Sequence, residues 1–223
     1  MKNFKCFLVV VVLITAAGIV NAQTFGLKAG YSSSDITVED EDGSYNEDIS
    51  MRSGFHIGPT LEFPVSENFS IDMALLLATK GAKAEESESF GGETYSMESK
   101  VNMWYLDIPV FAKFSTVAGN TRLYGLAGPY LGVGITGKVK MELTEGSESY
   151  SEEEDISWGD GDDNDFKRMD LGIGLGAGIE FDSFFVELTT HLGLNNISSE
   201  ADYGTKIKNR TFMLSVGYKF NNQ

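Results

Sequence analysis

The chain has 223 residues, with 17 Lys and Arg against 33 Asp and Glu, so its formal net charge is −16 at pH 7. A chain this acidic lacks the clustered basic residues that hold a nucleic-acid backbone, which excludes nucleic acid as a partner. Its single cysteine, Cys6, lies close to the N-terminus, so disulfides, zinc thiolates and cysteine nucleophiles are excluded from the rest of the chain.

The first 22 residues have the composition of a secretory signal peptide. Lys2 and Lys5 precede an apolar run over residues 7–20, and small residues lead to Ala22. This order predicts a Sec signal peptide that is cleaved after Ala22. A retained anchor is the alternative, but about 14 apolar residues are short for a spanning helix of about 20. We therefore expect a signal peptide at 1–22 and one domain at 23–223.

The clearest element beyond the signal peptide is the stretch 169–181. Apolar residues at its odd positions alternate with glycines and acids at its even positions. This period of two predicts a strand, because a helix would scatter the same residues around its axis. The stretch also exceeds the roughly 9–11 residues that a tilted transmembrane strand needs.

The same alternation recurs along the chain and predicts eight strands. In chain order they cover residues 24–32, 51–63, 69–80, 100–114, 121–139, 169–181, 184–193 and 210–220. The connections alternate between long and short, and the long ones are polar: residues 33–50, 81–99, 140–165 and 194–209. Alternation of this kind places all long loops at one end, as in outer-membrane barrels with an even number of strands.

Two of these strands depart from the simple pattern. Pro59 lies inside the second strand and cannot donate to a ladder, which indicates an edge or a bulge. In the fifth strand, Tyr124, Leu126 and Tyr130 have the opposite parity from the other apolar residues. A bulge near residues 128–129 would switch the face and account for them.

The second face of the strands carries charges of both signs. They are Lys28, Arg52, Glu62, Asp72, Asp107, Lys113, Arg168, Asp170, Glu180, Glu187 and Lys219. Such a face suits a closed, paired polar interior and does not suit the apolar pocket of a soluble lipocalin-like barrel. We therefore predict an all-β fold: an eight-stranded antiparallel up-and-down transmembrane β-barrel in the outer membrane, with four long acidic extracellular loops and short periplasmic turns.

Four segments of the chain resemble the PorT-like outer-membrane β-barrel family. They are YLDIPVFAKF (105–114), GLAGPYLGVGI (125–135), LGIGLGAGIEF (171–181) and LSVGYKF (214–220). The resemblance implies an eight-stranded protein of the Gram-negative cell envelope that carries no catalytic motif. The namesake of the family is linked to protein secretion and surface attachment. The resemblance therefore implies outer-membrane lipid, and outer-membrane or secretion-complex proteins, as partners.

The glycines at even positions of 172–178 permit two interpretations. They could open space in the lumen, or they could allow Phe111 or Tyr105 to pack across them, which we favour. A dinucleotide site is excluded, because its glycine loop must follow a strand and open a helix. No cofactor is predicted. An eight-stranded barrel is just wide enough to be filled by side chains, so a wide pore is not expected.

The segment 160–165 contains Asp160, Asp162, Asp163 and Asp165. Hard cations such as calcium prefer several carboxylate oxygens. The segment lacks the glycine at the sixth position and the glutamate at the twelfth that an EF-hand requires. Loose binding of a divalent cation is the weaker alternative, and a solvated, self-repelling loop is the interpretation that we favour.

His56 and His191 are the only histidines, and both fall on the predicted inner face. With Glu62 or Glu187 they could support acid–base chemistry or bind a metal. No serine is evidently placed to pair with either, so hydrogen-bonded interior histidines are favoured and no catalytic residue is predicted. We expect a non-enzymatic structural or accessory subunit. The alternatives are a small lipid-modifying enzyme that uses an interior histidine, and a narrow solute channel.

Overall fold

The computed structural model describes residues 23–39, 49–90, 93–145, 148–161, 163–199 and 206–220. The predicted signal peptide and Asp162 lie outside these ranges. Within them, no helix is long and apolar enough to cross a membrane.

The described residues form ten strand segments. They are β1 Thr24–Glu39, β2 Ile49–Pro64, β3 Phe69–Ala74, β4 Leu76–Phe90, β5 Glu93–Ala118, β6 Thr121–Glu145, β7 Glu148–Asp155, β8 Met169–Phe181, β9 Phe184–Gly193 and β10 Lys206–Phe220. β3 and β4 share one position in the sheet and are separated at Leu75. β1 pairs with both β2 and β10, and every ladder between the described strands is antiparallel. The result is a closed ring of eight strands, which confirms the predicted fold class; β7 lies outside the ring.

The ring has two unlike ends. Short turns at residues 65–68, 119–120 and 182–183 define the short-turn end. The other end, where β4 leads to β5 and β6 leads to β7, is called the long-loop end below. Asp182 has a φ of 51°, the left-handed conformation that a two-residue hairpin turn requires.

The strands run further toward the long-loop end than the sequence predicted. Residues 81–99, expected as a loop, belong mostly to the β4–β5 hairpin, whose pairing continues to Phe90 opposite Glu93. Residues 140–165, also expected as a loop, include the β6–β7 hairpin, which pairs up to Glu145 opposite Glu148. The prediction was wrong because a high content of acidic residues does not prevent strand formation. Met97, Met141 and Leu143 continue the period of two, whereas all eight residues of β7 are exposed and its only apolar residue is Tyr150.

The predicted bulge in β6 is also misplaced. Around residues 128–129 the register with β5 is constant, and it shifts instead between Gly134 and Thr136. Tyr124, Leu126 and Tyr130 therefore all point inward and are buried. Their parity marks the lumen face of an unbroken strand, because aromatic side chains fill this lumen.

Pro59 does not lie at an edge, since β2 is paired on both sides. The N–H of Leu75 donates to the Pro59 carbonyl oxygen at 3.1 Å, at the point where β3 gives way to β4. Pro59, which has no N–H to donate, thus lies beside the break between β3 and β4. The register shift in this ladder falls further along, between Met51 and His56.

The outward face of the ring is apolar between two aromatic girdles. At the short-turn end, Phe69 packs on Phe114 with ring centroids 4.8 Å apart. Toward the long-loop end, Phe55 meets Trp104 edge-on at 5.3 Å. Between the girdles the exposed side chains are large and apolar: Leu27, Ile57, Leu171, Ile173, Leu175, Val186, Leu188, Leu214 and Val216. Aromatic girdles around an apolar band are typical of a lipid-facing barrel surface.

Candidate functional site

Ion pairs fill the middle of the lumen. The Lys80 Nζ lies 2.9 Å from the Asp107 Oδ1 and 2.9 Å from the Asp170 Oδ2, and all three side chains are fully buried. Tyr130 donates its hydroxyl to Asp170 at 3.1 Å, and the Asn209 amide donates to Asp170 at 2.9 Å. Five strands thus contribute one group each. Buried charges are costly unless they are paired and hydrogen-bonded. Each group therefore depends on partners from other strands, and the cluster links strands across the barrel.

Lys80 is also held by aromatic rings. Its Nζ lies 4.6 Å from the ring centroid of Tyr105 and 4.9 Å from that of Tyr130. A cation over a tyrosine face is stabilised by the ring quadrupole, and more strongly where water is excluded. The sequence pattern missed Lys80 as an interior residue because it ends the predicted third strand. It nevertheless has the parity of Leu76 and Ala78, which also point inward.

A second charged cluster closes the lumen near the short-turn end. The Glu62 carboxylate lies 2.9 Å from the Lys113 Nζ and 2.7 Å from the Lys219 Nζ, and Ser70 donates to it at 2.8 Å. Glu180 pairs with Lys219 as well. Strands from opposite sides of the ring are therefore joined through side chains.

A third ion pair lies between the two clusters. The Lys28 Nζ donates to Glu187 at 2.8 Å, and the Tyr124 hydroxyl donates to the same carboxylate at 3.3 Å. Lys113 lies over the Tyr124 ring at 4.0 Å from its centroid. A cavity of about 10 Å³ borders Lys28, Asp72 and Glu187, which is the space of about one water molecule.

Most of the predicted inner charges occupy the lumen. Eight of the eleven are buried: Lys28, Glu62, Asp72, Asp107, Lys113, Asp170, Glu187 and Lys219. Arg52 and Glu180 are half-buried. Arg168 is exposed, contrary to the prediction, because it precedes β8 and donates to the Gly134 carbonyl oxygen at 3.0 Å.

The glycines of β8 accommodate aromatic rings that cross the lumen. A Cβ added at Gly174 would lie 2.4 Å from the Phe111 ring, and one added at Gly178 would lie 2.3 Å from the Tyr124 ring. The expectation that Phe111 packs across this stripe is confirmed. The glycines therefore do not leave open space.

Tyr105, the other residue expected on the glycine stripe, lies elsewhere. Its ring meets Trp158 edge-on with centroids 5.8 Å apart. Tyr130 takes the place expected for it, since a Cβ at Gly172 would lie 2.5 Å from the Tyr130 ring. The difference follows from β6, whose uninterrupted register aims Tyr130 across the lumen.

Tyr105 belongs instead to an apolar cap at the long-loop end. The cap consists of Met103, Tyr105, Ile156, Phe166 and Ile197, with Trp158 packed against it. The connection between β7 and β8 is tied down by backbone bonds, including one of 2.7 Å from the Lys167 N–H to the Ile197 carbonyl oxygen. The cap therefore covers the lumen from the side opposite the short turns.

The two histidines are buried side chains of the lumen. The His56 Nε2 lies 2.8 Å from the Ser215 Oγ. The His191 ring stacks on Tyr130 with centroids 4.6 Å apart, and its Nδ1 lies 3.7 Å from the Asp107 Oδ2. Both interior positions were predicted. In the part of the chain that the structure describes, neither histidine is hydrogen-bonded to Glu62 or Glu187.

Ser215 as a partner of His56 was missed, because the contact depends on the register between three strands. Gly30 of β1 is paired with Ser215 on one side and with His56 on the other. A Cβ at Gly30 would lie 2.8 Å from the His56 ring. The glycine therefore lets the imidazole reach across β1 to the serine, a contact that alternation within single strands cannot reveal.

The predicted aspartate cluster has no metal-binding geometry in the part of the chain that the structure describes. Asp165 accepts hydrogen bonds from the Ser157 N–H at 2.8 Å and from the Ser157 hydroxyl at 2.9 Å. Asp160 and Asp163 are exposed. Among the described residues, no three His, Asp or Glu side chains are placed to hold a metal ion. The Asp165 carboxylate therefore stabilises the segment between β7 and β8 through its hydrogen bonds to Ser157.

Beyond the lumen, four strands form a projecting sheet at the long-loop end. We use this name for residues 82–90 of β4, 93–101 of β5, 138–145 of β6, and all of β7. On the face that continues the lumen wall, Met97, Leu143 and Tyr150 form one cross-strand row and are exposed. On the opposite face, Lys83 and Lys100 are directly paired across β4 and β5.

Solved structures similar to this chain include three outer-membrane proteins. Ail of Yersinia pestis, solved with the heparin analogue sucrose octasulfate, is 17% identical; the match covers 89% of this chain and 99% of that chain, with a TM-score of 0.36. OprG of Pseudomonas aeruginosa is 11% identical over 90% of this chain and 97% of that chain, with a TM-score of 0.42. The Neisserial surface protein NspA is 11% identical over 89% and 97%, with a TM-score of 0.39.

Among curated proteins, none matches the chain. A family model described as outer membrane protein beta-barrel domain matches residues 21–199, most of the chain. The closed ring of eight strands, the apolar outer face and the charged lumen all agree with this family. The chain therefore belongs to the outer membrane protein beta-barrel domain family.

Proposed function

We propose that this outer-membrane barrel is a non-enzymatic structural or accessory subunit that presents its acidic projecting sheet outside the cell. One observation carries the proposal: side chains fill the lumen, while the sheet continues well beyond the apolar band. The barrel then serves as an anchor, and the surface that meets other molecules is the sheet. In this proposal residues 1–22 direct export and residues 23–223 form the barrel domain.

The difference between the two ends supports the orientation. Outer-membrane barrels have short periplasmic turns and longer extracellular loops. The turn at 119–120 joins β5 to β6 at the short-turn end, whereas the projecting sheet lies at the other end. We therefore assign the short-turn end to the periplasm and the projecting sheet to the cell surface.

The filled lumen argues against the channel alternative. The cluster around Lys80 fills the middle of the lumen, and the cluster around Glu62 closes the lumen near the short-turn end. In each cluster the ion pairs join different strands. A cavity of about 300 Å³ opens at the short-turn end and is bordered by Glu62 and Lys219, which are paired with each other. The interior of an eight-stranded barrel is just wide enough to be filled by side chains. The packing of the described lumen residues therefore supports an anchor in preference to a channel.

The position of the histidines argues against the lipid-modifying enzyme. Only 1% of the surface of each side chain is exposed, and both face the lumen, away from the apolar band. A general base must come within hydrogen-bonding distance of the proton that it removes. A lipid ester outside the barrel would be separated from His56 and His191 by the barrel wall.

The proposal is tested by cysteine labelling of intact cells. Ser151→Cys lies on the projecting sheet, and Ser66→Cys lies in the turn that follows β2; both residues are exposed. A membrane-impermeant maleimide should label Ser151→Cys on intact cells and should label Ser66→Cys only after lysis. The reverse pattern, or recovery of the protein as a soluble periplasmic monomer, would overturn the proposal.

A role close to that of the PorT-like family would require this protein to bind another protein of the cell envelope. A mild-detergent pull-down of the tagged protein from native outer membranes, with mass spectrometry, tests it. A stoichiometric outer-membrane or secretion protein would support an accessory role. A clean monomer in complex with lipid alone would count against it.

A further inference from the structure

The outer edge of β7 is an unused hydrogen-bonding edge. β7 pairs with β6 from Glu148 to Asp155, and among the described residues no other strand pairs with its far side. The far edge of a strand presents backbone N–H and C=O groups that another extended chain can pair with. All eight residues of β7 are exposed.

An apolar groove of about 540 Å³ lies beside this edge. Its apolar side chains are Met97, Met141, Leu143 and Tyr150. About half of each side chain is exposed. Successive side chains of an added strand alternate between the two faces of a sheet, so every second one would lie over this groove. Adjacent apolar and hydrogen-bonding surfaces fit an extended peptide.

The face that carries the groove is acidic and has no basic residue among the described side chains. Alternation and register place five glutamates on it: Glu86, Glu145, Glu148, Glu152 and Glu154. The lysines of the projecting sheet lie on the opposite face, where each is paired with a glutamate: Lys83, Lys100, Lys138 and Lys140. The groove face therefore has an uncompensated negative charge.

This charge distinguishes between possible occupants. A second copy that paired edge-to-edge through β7 would bring two acid-rich strands together, and directly opposed like charges are destabilising. An anionic lipid surface would be repelled in the same way. A segment with basic residues would be attracted, because electrostatic complementarity favours its encounter and its register.

We propose that the groove face and free edge of β7 bind an extended segment of a partner protein that carries both apolar and basic residues on the one face of its strand that lies over the groove. The segment adds a strand to the projecting sheet, places its apolar side chains over Leu143 and Tyr150, and places its basic side chains near Glu152 and Glu154. This inference rests on the proposed function, since the partner must reach the sheet from outside the cell.

The test uses the full-length protein in nanodiscs of neutral phospholipid. The probe is a short fluorescent peptide in which every second residue is serine and the residues between are valine or lysine, so that valine and lysine share one face of the strand. Binding is followed by anisotropy. Two control peptides carry glutamate in place of lysine, or N-methyl groups on alternate backbone nitrogens. Hydrogen exchange of the β7 amides reports whether the edge becomes paired.

Matched pairs of variants test whether binding depends on charge at the groove face or on the net charge of the protein. Glu152→Gln with Glu154→Gln removes two negative charges from the groove face, and Ser149→Lys with Ser151→Lys makes the same change in net charge by adding two positive charges on the opposite face of the same strand. The first pair should weaken binding about fivefold, as the loss of two exposed ion pairs predicts. The second pair should change it less than about twofold. Leu143→Ser should also weaken binding.

Four results would overturn the inference, as would failure of the lysine peptide to bind. The four are equal weakening by both pairs of variants, equal binding of the N-methylated peptide, equal binding of the glutamate peptide, and dimerisation of the protein through β7 without peptide. Surface labelling of Ser151→Cys is independent of these outcomes. If labelling succeeds and peptide binding fails, the surface orientation stands and this inference falls.

Discussion

The Phe111 ring lies directly over Gly174, so that a single methyl group on that glycine would approach the ring to 2.4 Å. Gly174→Ala should therefore destabilise the barrel by about 1–3 kcal/mol, the usual cost of overpacking a filled interior. The measurement is urea-induced unfolding in lipid vesicles, followed by the heat-dependent shift in gel mobility.

The matched control for this prediction is Gly125→Ala. Gly125 lies in the neighbouring strand β6, and among the described residues the nearest atom to its added Cβ is the Gly176 carbonyl oxygen at 3.9 Å. Gly125→Ala should leave the unfolding midpoint unchanged or raise it. Equal destabilisation by the two variants would mean that the loss of glycine itself, and not contact with Phe111, controls stability.

Lys80 holds two buried carboxylates, and its removal should cost more than the removal of a surface lysine. Lys80→Met leaves Asp107 and Asp170 without their cation, which typically costs about 3–5 kcal/mol. Restoring neutrality with Asp107→Asn and Asp170→Asn should recover much of this loss. Lys83→Met, at an exposed ion pair, should cost about 0–1 kcal/mol. Urea unfolding in vesicles measures all of these variants, and a silent Lys80→Met would refute the structural role of the cluster.

The eight strands were predictable because a lipid-facing wall and a polar lumen impose a strict period of two. Strands β8 and β9 begin and end where the sequence placed them, at Met169–Phe181 and Phe184–Gly193. Their alternation involves both faces, so one slip in register would move every side chain to the wrong side. Acidic strands beyond the apolar band lack this double constraint, and there the sequence predicted loops.

Contacts across the lumen were less predictable than the strands. Alternation placed His56, His191 and Asp107 on the inner face but could not say which of them meet. His56 reaches Ser215 only because Gly30 separates them, and Lys80 reaches Asp170 across the ring. These relations depend on the register between strands, which a single sequence does not encode locally.

The Glu98 carboxylate on the projecting sheet should remain ionised in unusually acidic solution. Hydrogen bonds from Lys100 and Lys83 lower the pKa of Glu98 from its ordinary 4.5 to about 2. Because the folded-state pKa is depressed, the stabilisation that this group contributes is present above pH 4.5 and is lost as the pH falls toward 2. A carboxyl carbon titration by NMR in micelles measures the midpoint.

The control for Glu98 is the double variant Lys83→Met with Lys100→Met. Both donors are then absent, so the midpoint of Glu98 should return toward 4.5. A midpoint that stays near 2 would show that something other than the two lysines stabilises the carboxylate. The aromatic girdles and the lumen lie away from this site, so the barrel itself should remain folded in the variant.

The hydrogen bond between His56 and Ser215 should stabilise the barrel without serving catalysis. Ser215→Ala leaves the buried imidazole nitrogen without its partner, which costs about 1–3 kcal/mol. Replacing both groups, as His56→Phe with Ser215→Ala, should be closer to neutral, since no unpaired polar group then remains. Urea unfolding gives the stabilities, and lipid A and phospholipid profiles of cells that express the double variant provide the functional control. Unchanged profiles are expected; a lost lipid modification in a stably folded double variant would instead make His56 part of an active site.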